Sequence, residues 1–270
     1  ADNQELNSRE GTLEVGPYNG DNPLHASGPL TLGGEPARFA HEDGTPFFWL
    51  GDTWWMGLCR RWSWPEDIQL LTADRKKKGF TVIQIIAGLY PDMLAFDPRG
   101  ANEAGFPWEA EYARINPAYF DAADLRIQWL VQNGLVPCIF ACWGWFLSLM
   151  GERKMKQHWR YLVARWGAYP VVWCLAGEAQ QIYYLTEAPD DDRARQHRGW
   201  TELARYVREI DPYQRPLTIH PASLRDAREQ IEDPELLDFG TLQLSHRGYE
   251  YLADQMRILD QSVKASPPLA

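Results

Sequence analysis

The sequence predicts an α/β fold, a (β/α)8 TIM barrel with an N-terminal β-hairpin, whose seventh and eighth units are missing from this chain. Short apolar runs without polar alternation recur along the sequence, as expected for strands that are buried on both faces of a parallel sheet. Strand and helix alternate six times between Phe47 and Ser262, which gives about 36 residues per unit. Eight such units after the hairpin need about 290 residues, whereas this 270-residue chain ends where a seventh strand would begin.

The composition indicates a globular, acidic protein. The formal net charge of −10 and the pI near 5.1 argue against a nucleic-acid backbone or an anionic membrane surface as partner. No apolar run reaches the roughly 20 residues of a membrane span. The four cysteines show neither a CxxC pair nor metal-ligand spacing, so we expect core thiols and neither a metal nor a cofactor. The 13 Trp, 12 Tyr and 10 Phe side chains fit either a sugar-stacking surface or the core of a large barrel.

The first elements in chain order are an arm and a hairpin. Residues 1–28 are polar with little periodicity and are predicted to form an N-terminal arm, while residues 29–270 form the barrel domain. Within that domain, Pro29–Leu32 and Arg38–His41 are predicted strands, and a turn signal follows them at Glu42–Thr45. We expect this small hairpin to close the bottom of the barrel.

The barrel elements are predicted from apolar runs and from helix boundary signals. Six strands are expected at residues 47–52, 81–87, 135–141, 171–176, 216–220 and 239–246. Helices are expected at residues 67–78, 117–130, 154–166, 193–210 and 249–258. The first helix ends in four basic residues that suit the helix dipole, and Pro117 suits the first turn of the second. The loop 88–116 has a length that is usually functional.

Polar residues stand at the carboxyl ends of these strands, where α/β barrels place their chemistry. They are Asp52, Glu178, His220, Gln243 and His246, and the exit loops add the aromatic residues Trp54, Trp55, Tyr90, Trp143 and Trp145. Because the carboxyl ends of parallel strands open on one face, we expect these side chains to line one cavity. Carboxylates, amides and imidazoles can bond sugar hydroxyls, while indoles stack on the apolar faces of sugar rings. No phosphate-binding glycine loop, GxSxG elbow or HExxH motif accompanies them.

Several of these residues also have a structural interpretation. Glu178 can instead cap the segment that follows it or pair with an arginine, and Asp52 can serve a turn or the barrel bottom. His220 and His246 can be hydrogen-bonded core histidines, or they can join Asp52 as metal ligands. The residues alone leave these alternatives open.

Three motifs carry a family resemblance. The run HEDGTPFFWLGDTWW (His41–Trp55) resembles the opening signature of the apiosidase-like glycoside hydrolases, glycoside hydrolase family 140 and its relatives. The run YPVVWCLAGE (Tyr169–Glu178) is similar to the fourth-strand motif of that family, and PLTIHP (Pro216–Pro221) is similar to its fifth. The match extends from about residue 28 to residue 262.

The resemblance implies a clan A barrel and a glycosidase that acts on a plant or microbial glycan in polysaccharide degradation. In that clan a carboxyl group at the end of the fourth strand is the acid/base, and one at the end of the seventh is the nucleophile. Glu178 matches the first position, as proton donor, and the nucleophile is expected beyond Ala270. The sequence departs twice: Gly177 replaces an asparagine that is frequent in the wider clan, and family members often carry aspartate where Glu178 stands.

Sugar binding is expected to fall to the other residues at the mouth. They are Asp52, Trp54, Trp55, Tyr90, Trp143, His220, Gln243 and His246. A non-catalytic carbohydrate-binding or scaffold barrel is the alternative to an enzyme. The start at Ala1, without an initiator methionine, fits a mature secreted or periplasmic protein or a trimmed chain, and a cytoplasmic location stays open.

Overall fold

A short helix and a β-hairpin form the N-terminal part of the computed structural model, which describes residues 11–12, 14–34, 38–244 and 248–264. The helix is α1 (Pro23–Ala26), and the strands β1 (Leu30–Gly33) and β2 (Arg38–His41) pair antiparallel. The centroid of the Phe39 ring lies 4.9 Å from that of Trp49 and 5.0 Å from that of Phe239. The predicted hairpin is confirmed, and Phe39 fixes it to the barrel.

Five parallel strands form the central sheet. They are β3 (Gly51–Trp54), β4 (Val82–Ile86), β5 (Val136–Phe140), β6 (Val172–Cys174) and β7 (Leu217–Thr218), and they neighbour one another in chain order. Every neighbouring pair is parallel. Strands β5 and β6 are buried along their whole length, because helices cover one face and the barrel interior the other, and they therefore appear as continuous apolar runs in the sequence. The predicted parallel α/β architecture is confirmed.

Helices connect the strands and cover the outer face of the sheet. They are α2 (Glu66–Lys77), α3 (Pro117–Gln132), α4 (Phe146–Met150), α5 (Glu152–Trp166), α6 (Pro189–Ile210) and α7 (Leu252–Val263). Helices α3 and α6 both begin with a proline, whose fixed φ suits the first turn. Three aspartates follow in the first turn of α6, at the positive end of the helix dipole. The predicted helices are present with boundaries shifted by a few residues, and α4 lies in a segment predicted as loop.

The first strand of the sheet lies later in the chain than the predicted strand 47–52. Phe48, inside the predicted range, is 75% exposed, whereas β3 includes Trp54, which is 1% exposed. The Trp54 indole packs in one apolar cluster with Ile68 of α2 and Ile83 of β4, so it faces the helix layer. Side chains two positions apart on a strand share a face, and Asp52 therefore faces the helices too. The prediction that Asp52 and Trp54 line the cavity is wrong.

Asp52 connects strand β3 to helix α2. Its carboxylate accepts hydrogen bonds from Nε of Arg75 at 2.5 Å and from Nε1 of Trp54 at 2.9 Å. Burial on its own would raise the pKa of Asp52, but the bonds from the Trp54 indole and the Arg75 guanidinium outweigh it and hold the pKa below its usual value. The ionised form is thus the one that the fold requires.

The sixth predicted strand, 239–246, does not extend the central sheet as a regular ladder. Its residues Leu242–Gln243 form β9, which pairs antiparallel with β8 (Arg225–Asp226), and residues 245–246 lie outside the described residues. The preceding segment does run beside β7, where the Leu217 N–H donates to Oδ2 of Asp238 at 2.7 Å and Thr218 Oγ1 donates to the Phe239 carbonyl at 2.8 Å. Besides a backbone bond from the Asp238 N–H to the Leu217 carbonyl at 2.9 Å, side chains make these contacts, which apolar periodicity cannot reveal.

A buried histidine lies between the sheet and the long loop after β4. His158, on α5, is 0% exposed. Its Nδ1 accepts a hydrogen bond from Nε1 of Trp108 at 3.2 Å, and Nε2 lies 3.0 Å from the Ala141 carbonyl. If both nitrogens of His158 carried a proton, the N–H at Nδ1 would point at the N–H of Trp108. Burial lowers the pKa of His158 to about 4.

We expect acid to destabilise the fold through His158. The folded protein keeps this imidazole neutral down to about pH 4, whereas the unfolded chain protonates it near pH 6.5. The contribution is therefore complete above pH 6.5 and is lost as the pH falls from 6.5 to 4, by at most about 3 kcal/mol. The measurement is the free energy of unfolding in urea at several pH values across this range. In His158→Gln, most of its decrease with falling pH should disappear.

The control for this measurement is His25→Gln, at an exposed position of α1. It should keep the wild-type dependence of the unfolding free energy on pH. A wild-type slope in His158→Gln would show that other groups cause the acid sensitivity.

Asp52→Asn should separate the structural role of Asp52 from the sugar-binding role predicted from the sequence. The variant loses the charge that holds Arg75 and should lower the free energy of unfolding by about 1 kcal/mol. Because the side chain faces α2, the affinity for a sugar ligand should stay at the wild-type value. Urea midpoints and ligand titration measure the two effects, and a large loss of affinity at unchanged stability would restore the sequence prediction.

Candidate active site

A cavity of about 550 Å³ lies on the inner face of the sheet. Its walls come from inward-facing strand residues on one side and from the segment before and within β9 on the other. The lining residues used below are Gln84, Cys138, Phe140, Thr218, His220 and Gln243. All four cysteines are buried free thiols, as expected, and burial raises the pKa of Cys138. The cavity thus combines apolar wall residues with polar side chains from successive strands, and such a combination can bind a small molecule.

Pairing between β5 and β6 continues beyond the two strands into their exit loops. The Gly177 N–H donates to the Cys142 carbonyl at 2.9 Å, and the Gly144 N–H donates to the Gly177 carbonyl at 2.7 Å. A Cβ atom at Gly177 would lie 2.3 Å from the ring of Trp143, and one at Gly144 would lie 2.4 Å from the Glu178 carbonyl oxygen. Both positions therefore require glycine, and the indole of Trp143 occupies the space that an asparagine at 177 would need.

Glu178, the residue after Gly177, has an unusual backbone conformation. Its φ is +43°, in the left-handed region, which costs a residue with a Cβ atom roughly 1–2 kcal/mol. The Glu178 N–H points to Nδ1 of His220 at 3.4 Å, and its carbonyl accepts a bond from the Gln181 N–H at 2.7 Å. Oε1 of the carboxyl accepts a hydrogen bond from Nε2 of Gln243 at 3.2 Å. The partner of the carboxyl is thus a neutral amide from the cavity wall rather than an arginine.

Aromatic side chains surround the imidazole of His220. The His220 ring lies 5.7 Å from Phe140, 6.1 Å from Trp55 and 6.4 Å from Trp143, measured between ring centroids. Nε1 of Trp143 donates to Oε1 of Gln181 at 2.5 Å, which fixes the plane of the indole. The structure therefore brings five of the predicted site residues together: Glu178, His220, Gln243, Trp55 and Trp143.

Other predicted residues lie elsewhere. Tyr90 is 1% exposed, its hydroxyl lies 2.7 Å from that of Tyr119, and burial raises its pKa well above the usual value. The prediction that Tyr90 faces the cavity is wrong, because loop 88–116 folds back over the helices. Trp145 is also buried in the core, at 5% exposure. His246 lies outside the described residues.

Sequence reasoning missed some polar residues of the site. Gln84 interrupts the apolar run of β4, and this interruption could have identified it as a cavity residue. Ser223, whose Oγ accepts from Nε2 of Gln243 at 2.9 Å, gave no such signal. Within the described ranges, no group of three or more His, Cys, Asp or Glu residues could hold a metal ion. No helix in this part of the chain is long and apolar enough to cross a membrane.

The fold resembles that of solved glycoside hydrolases. A family 5 glycoside hydrolase from Bacteroides vulgatus matches with a TM-score of 0.69 and 22% identity, over 95% of this chain and 55% of that one. A structure described as a glycoside hydrolase matches with a TM-score of 0.67 and 22% identity, over 92% of this chain and 56% of that one. A broad-specificity endoglucanase from Clostridium acetobutylicum matches with a TM-score of 0.55 and 13% identity, over 82% of this chain and 75% of that one. The chain shares their barrel fold and spans little more than half the length of the first two.

The family assignment comes from the sequence itself. Comparison with curated proteins gave no significant match. Residues 35–269, however, match the family model described as Apiosidase-like, catalytic domain, and this range includes all three motifs that carry the resemblance. The chain belongs to the apiosidase-like catalytic domain family.

Proposed function

We propose that the protein is a glycoside hydrolase in which Glu178 is the general acid/base. The observation that carries the proposal is the position of Glu178: it follows β6 at the mouth of the barrel, and its carboxyl contacts the cavity residue Gln243. Family membership and the barrel fold support hydrolysis of a glycosidic bond. A carboxyl at this place can protonate the oxygen of the leaving sugar as the bond to the anomeric carbon breaks.

The surrounding side chains have binding and orienting roles in this proposal. The amide of Gln243 orients the Glu178 carboxyl, and the imidazole of His220 supports the backbone of the same residue. Trp55, a partly exposed indole that packs on the buried ring of Trp143, is proposed to stack on the apolar face of a sugar ring, while Gln84 offers an amide to its hydroxyls. The substrate is proposed to be a plant or microbial oligosaccharide or polysaccharide.

The second carboxyl of the reaction is proposed to come from a seventh strand, C-terminal to residue 270 of this sequence. None of the described residues that line the cavity is acidic. The first two structural neighbours are nearly twice as long as the part that this chain covers. A separation of about 5–5.5 Å between the two carboxyl groups would give retention of configuration, and about 6.5–9.5 Å would give inversion. We propose retention, by analogy with the wider clan.

Glu178→Gln should abolish proton donation while it keeps the fold. In the full-length protein, turnover of an unactivated oligosaccharide should fall about 10²–10⁴-fold. Nitrophenyl glycosides, whose leaving group needs no proton, should lose much less in kcat/KM, which reports the first chemical step. A panel of such glycosides and the matching oligosaccharides, assayed side by side, measures the difference.

Glu187→Gln is the matched control, because Glu187 is an exposed carboxyl on the same exit loop. It should keep wild-type rates on both substrate types. Wild-type turnover of the oligosaccharide by Glu178→Gln would contradict the assignment. Binding of oligosaccharides without any cleavage by the wild-type protein would instead support a carbohydrate-binding barrel.

Gly177→Ala should disturb the site through Trp143. The added methyl group would lie 2.3 Å from the indole, which is held by Gln181 and cannot move without breaking that bond. We expect kcat for the oligosaccharide to fall at least about tenfold, since small displacements of catalytic groups are costly. Gly33→Ala, on β1 with open space around its Cα, is the control and should keep the wild-type rate. Equal rates for the two variants would show that the indole contact does not matter.

A further inference from the structure

Helix α6 contacts the backbone of the site from the outer layer of the barrel. Gln196 and Trp200 lie one turn apart on this helix, and both side chains are 0% exposed. Neither residue lines the cavity. Both nevertheless donate side-chain hydrogen bonds to the loops that follow β5 and β6.

The bonds end on carbonyl groups next to the proposed acid/base. Nε2 of Gln196 donates to the Gln181 carbonyl at 2.9 Å and to the Gly144 carbonyl at 3.2 Å. Nε1 of Trp200 donates to the Ala179 carbonyl at 2.7 Å. The amide of Gln196 thus joins the Trp143 loop to the Glu178 loop, and the indole of Trp200 holds the residue that follows Glu178.

A backbone in the left-handed conformation persists only where its surroundings enforce it. Glu178 has such a conformation, and three carbonyls around it accept their bonds from Gln196 and Trp200. Gln196 supplies its two N–H bonds although its own Oε1 is buried without a partner among the described residues. A buried acceptor without a partner lowers stability, and the two bonds that Gln196 donates to backbone carbonyls offset part of that cost.

We propose that Gln196 and Trp200 are positioning residues, a clasp that holds Glu178 in the geometry for proton donation. The proposal rests on the proposed function of Glu178. It assigns to α6 a role in the reaction although the helix does not reach the cavity. Loss of the clasp lets the backbone of residues 178–181 relax and moves the carboxyl away from the leaving oxygen.

Gln196→Met in the full-length protein tests the clasp. The variant keeps a side chain of similar volume, removes both N–H donors and also removes the buried Oε1. We expect the melting temperature to fall, because two carbonyls lose their donors, while kcat/KM for an unactivated oligosaccharide falls about 10- to 10²-fold. The value of kcat/KM for a nitrophenyl glycoside should change less than about threefold, because its leaving group needs no proton in the first chemical step. Trp200→Phe should show the same dependence on the leaving group.

Leu203→Ala is the matched control on the same helix. Leu203 is also 0% exposed, and it makes no side-chain hydrogen bond to either loop. This variant should lower the melting temperature and leave the ratio of the two kcat/KM values, for the oligosaccharide and the nitrophenyl glycoside, at that of the wild type. A wild-type ratio in both Gln196→Met and Trp200→Phe would overturn the clasp, while a loss of activity in Glu178→Gln would still support the proposed function.

Hydrogen exchange provides a readout that does not depend on activity. The Gln181 and Gly144 amides are bonded to the Glu178 and Gly177 carbonyls in the two loops. Peptides that span residues 142–146 and 176–184 should exchange faster in Gln196→Met than in the wild type or in Leu203→Ala. Unchanged exchange in these peptides would overturn the clasp even if Glu178 proved to have no catalytic role.

Discussion

The backbone contact between the exit loops of β5 and β6 is the constraint on which the site depends. Parallel pairing normally ends with the strands, yet here it continues through the bonds of Gly177 to Cys142 and of Gly144 to Gly177. Only glycine fits at either position, because the Trp143 ring and the Glu178 carbonyl fill the space above them. The indole and the acid are therefore fixed relative to each other by main chain, which varies less in position than a pair of mobile side chains.

The environment of Glu178 combines neutral polar partners with aromatic walls. An amide from Gln243 and an imidazole from His220 contact the residue, while Trp55 and Phe140 pack around that imidazole. Neutral partners can orient a carboxyl in either protonation state, whereas an arginine would favour the ionised one. Such surroundings are compatible with the proton-donor role proposed for Glu178.

The sequence was most informative where burial determines the residue pattern. The runs around Val136 and Val172 are apolar because both faces are covered, and this pattern identified the sheet and the position of Glu178. The same pattern placed Asp52 wrongly. Side chains alternate along β3, and this alternation turns the Asp52 carboxyl toward Arg75. The apolar run before β3 conceals where the strand begins and therefore which side chains face the cavity. The pattern failed for Tyr90 because a hydroxyl partner, Tyr119, lies in another element. Gln196 acts through backbone carbonyls, which have no sequence signature at all.

The Trp143–Gly177 contact also has an evolutionary consequence. The volume at these two positions is shared, since an indole ring occupies the space directly above the Cα of the glycine. A homologous barrel that carries asparagine at the position of Gly177 must therefore carry a smaller or differently placed residue at the position of Trp143. The residues at the two positions are therefore expected to change together during evolution. Their identities distinguish barrels in which an aromatic ring forms this wall of the site from barrels in which an amide forms it.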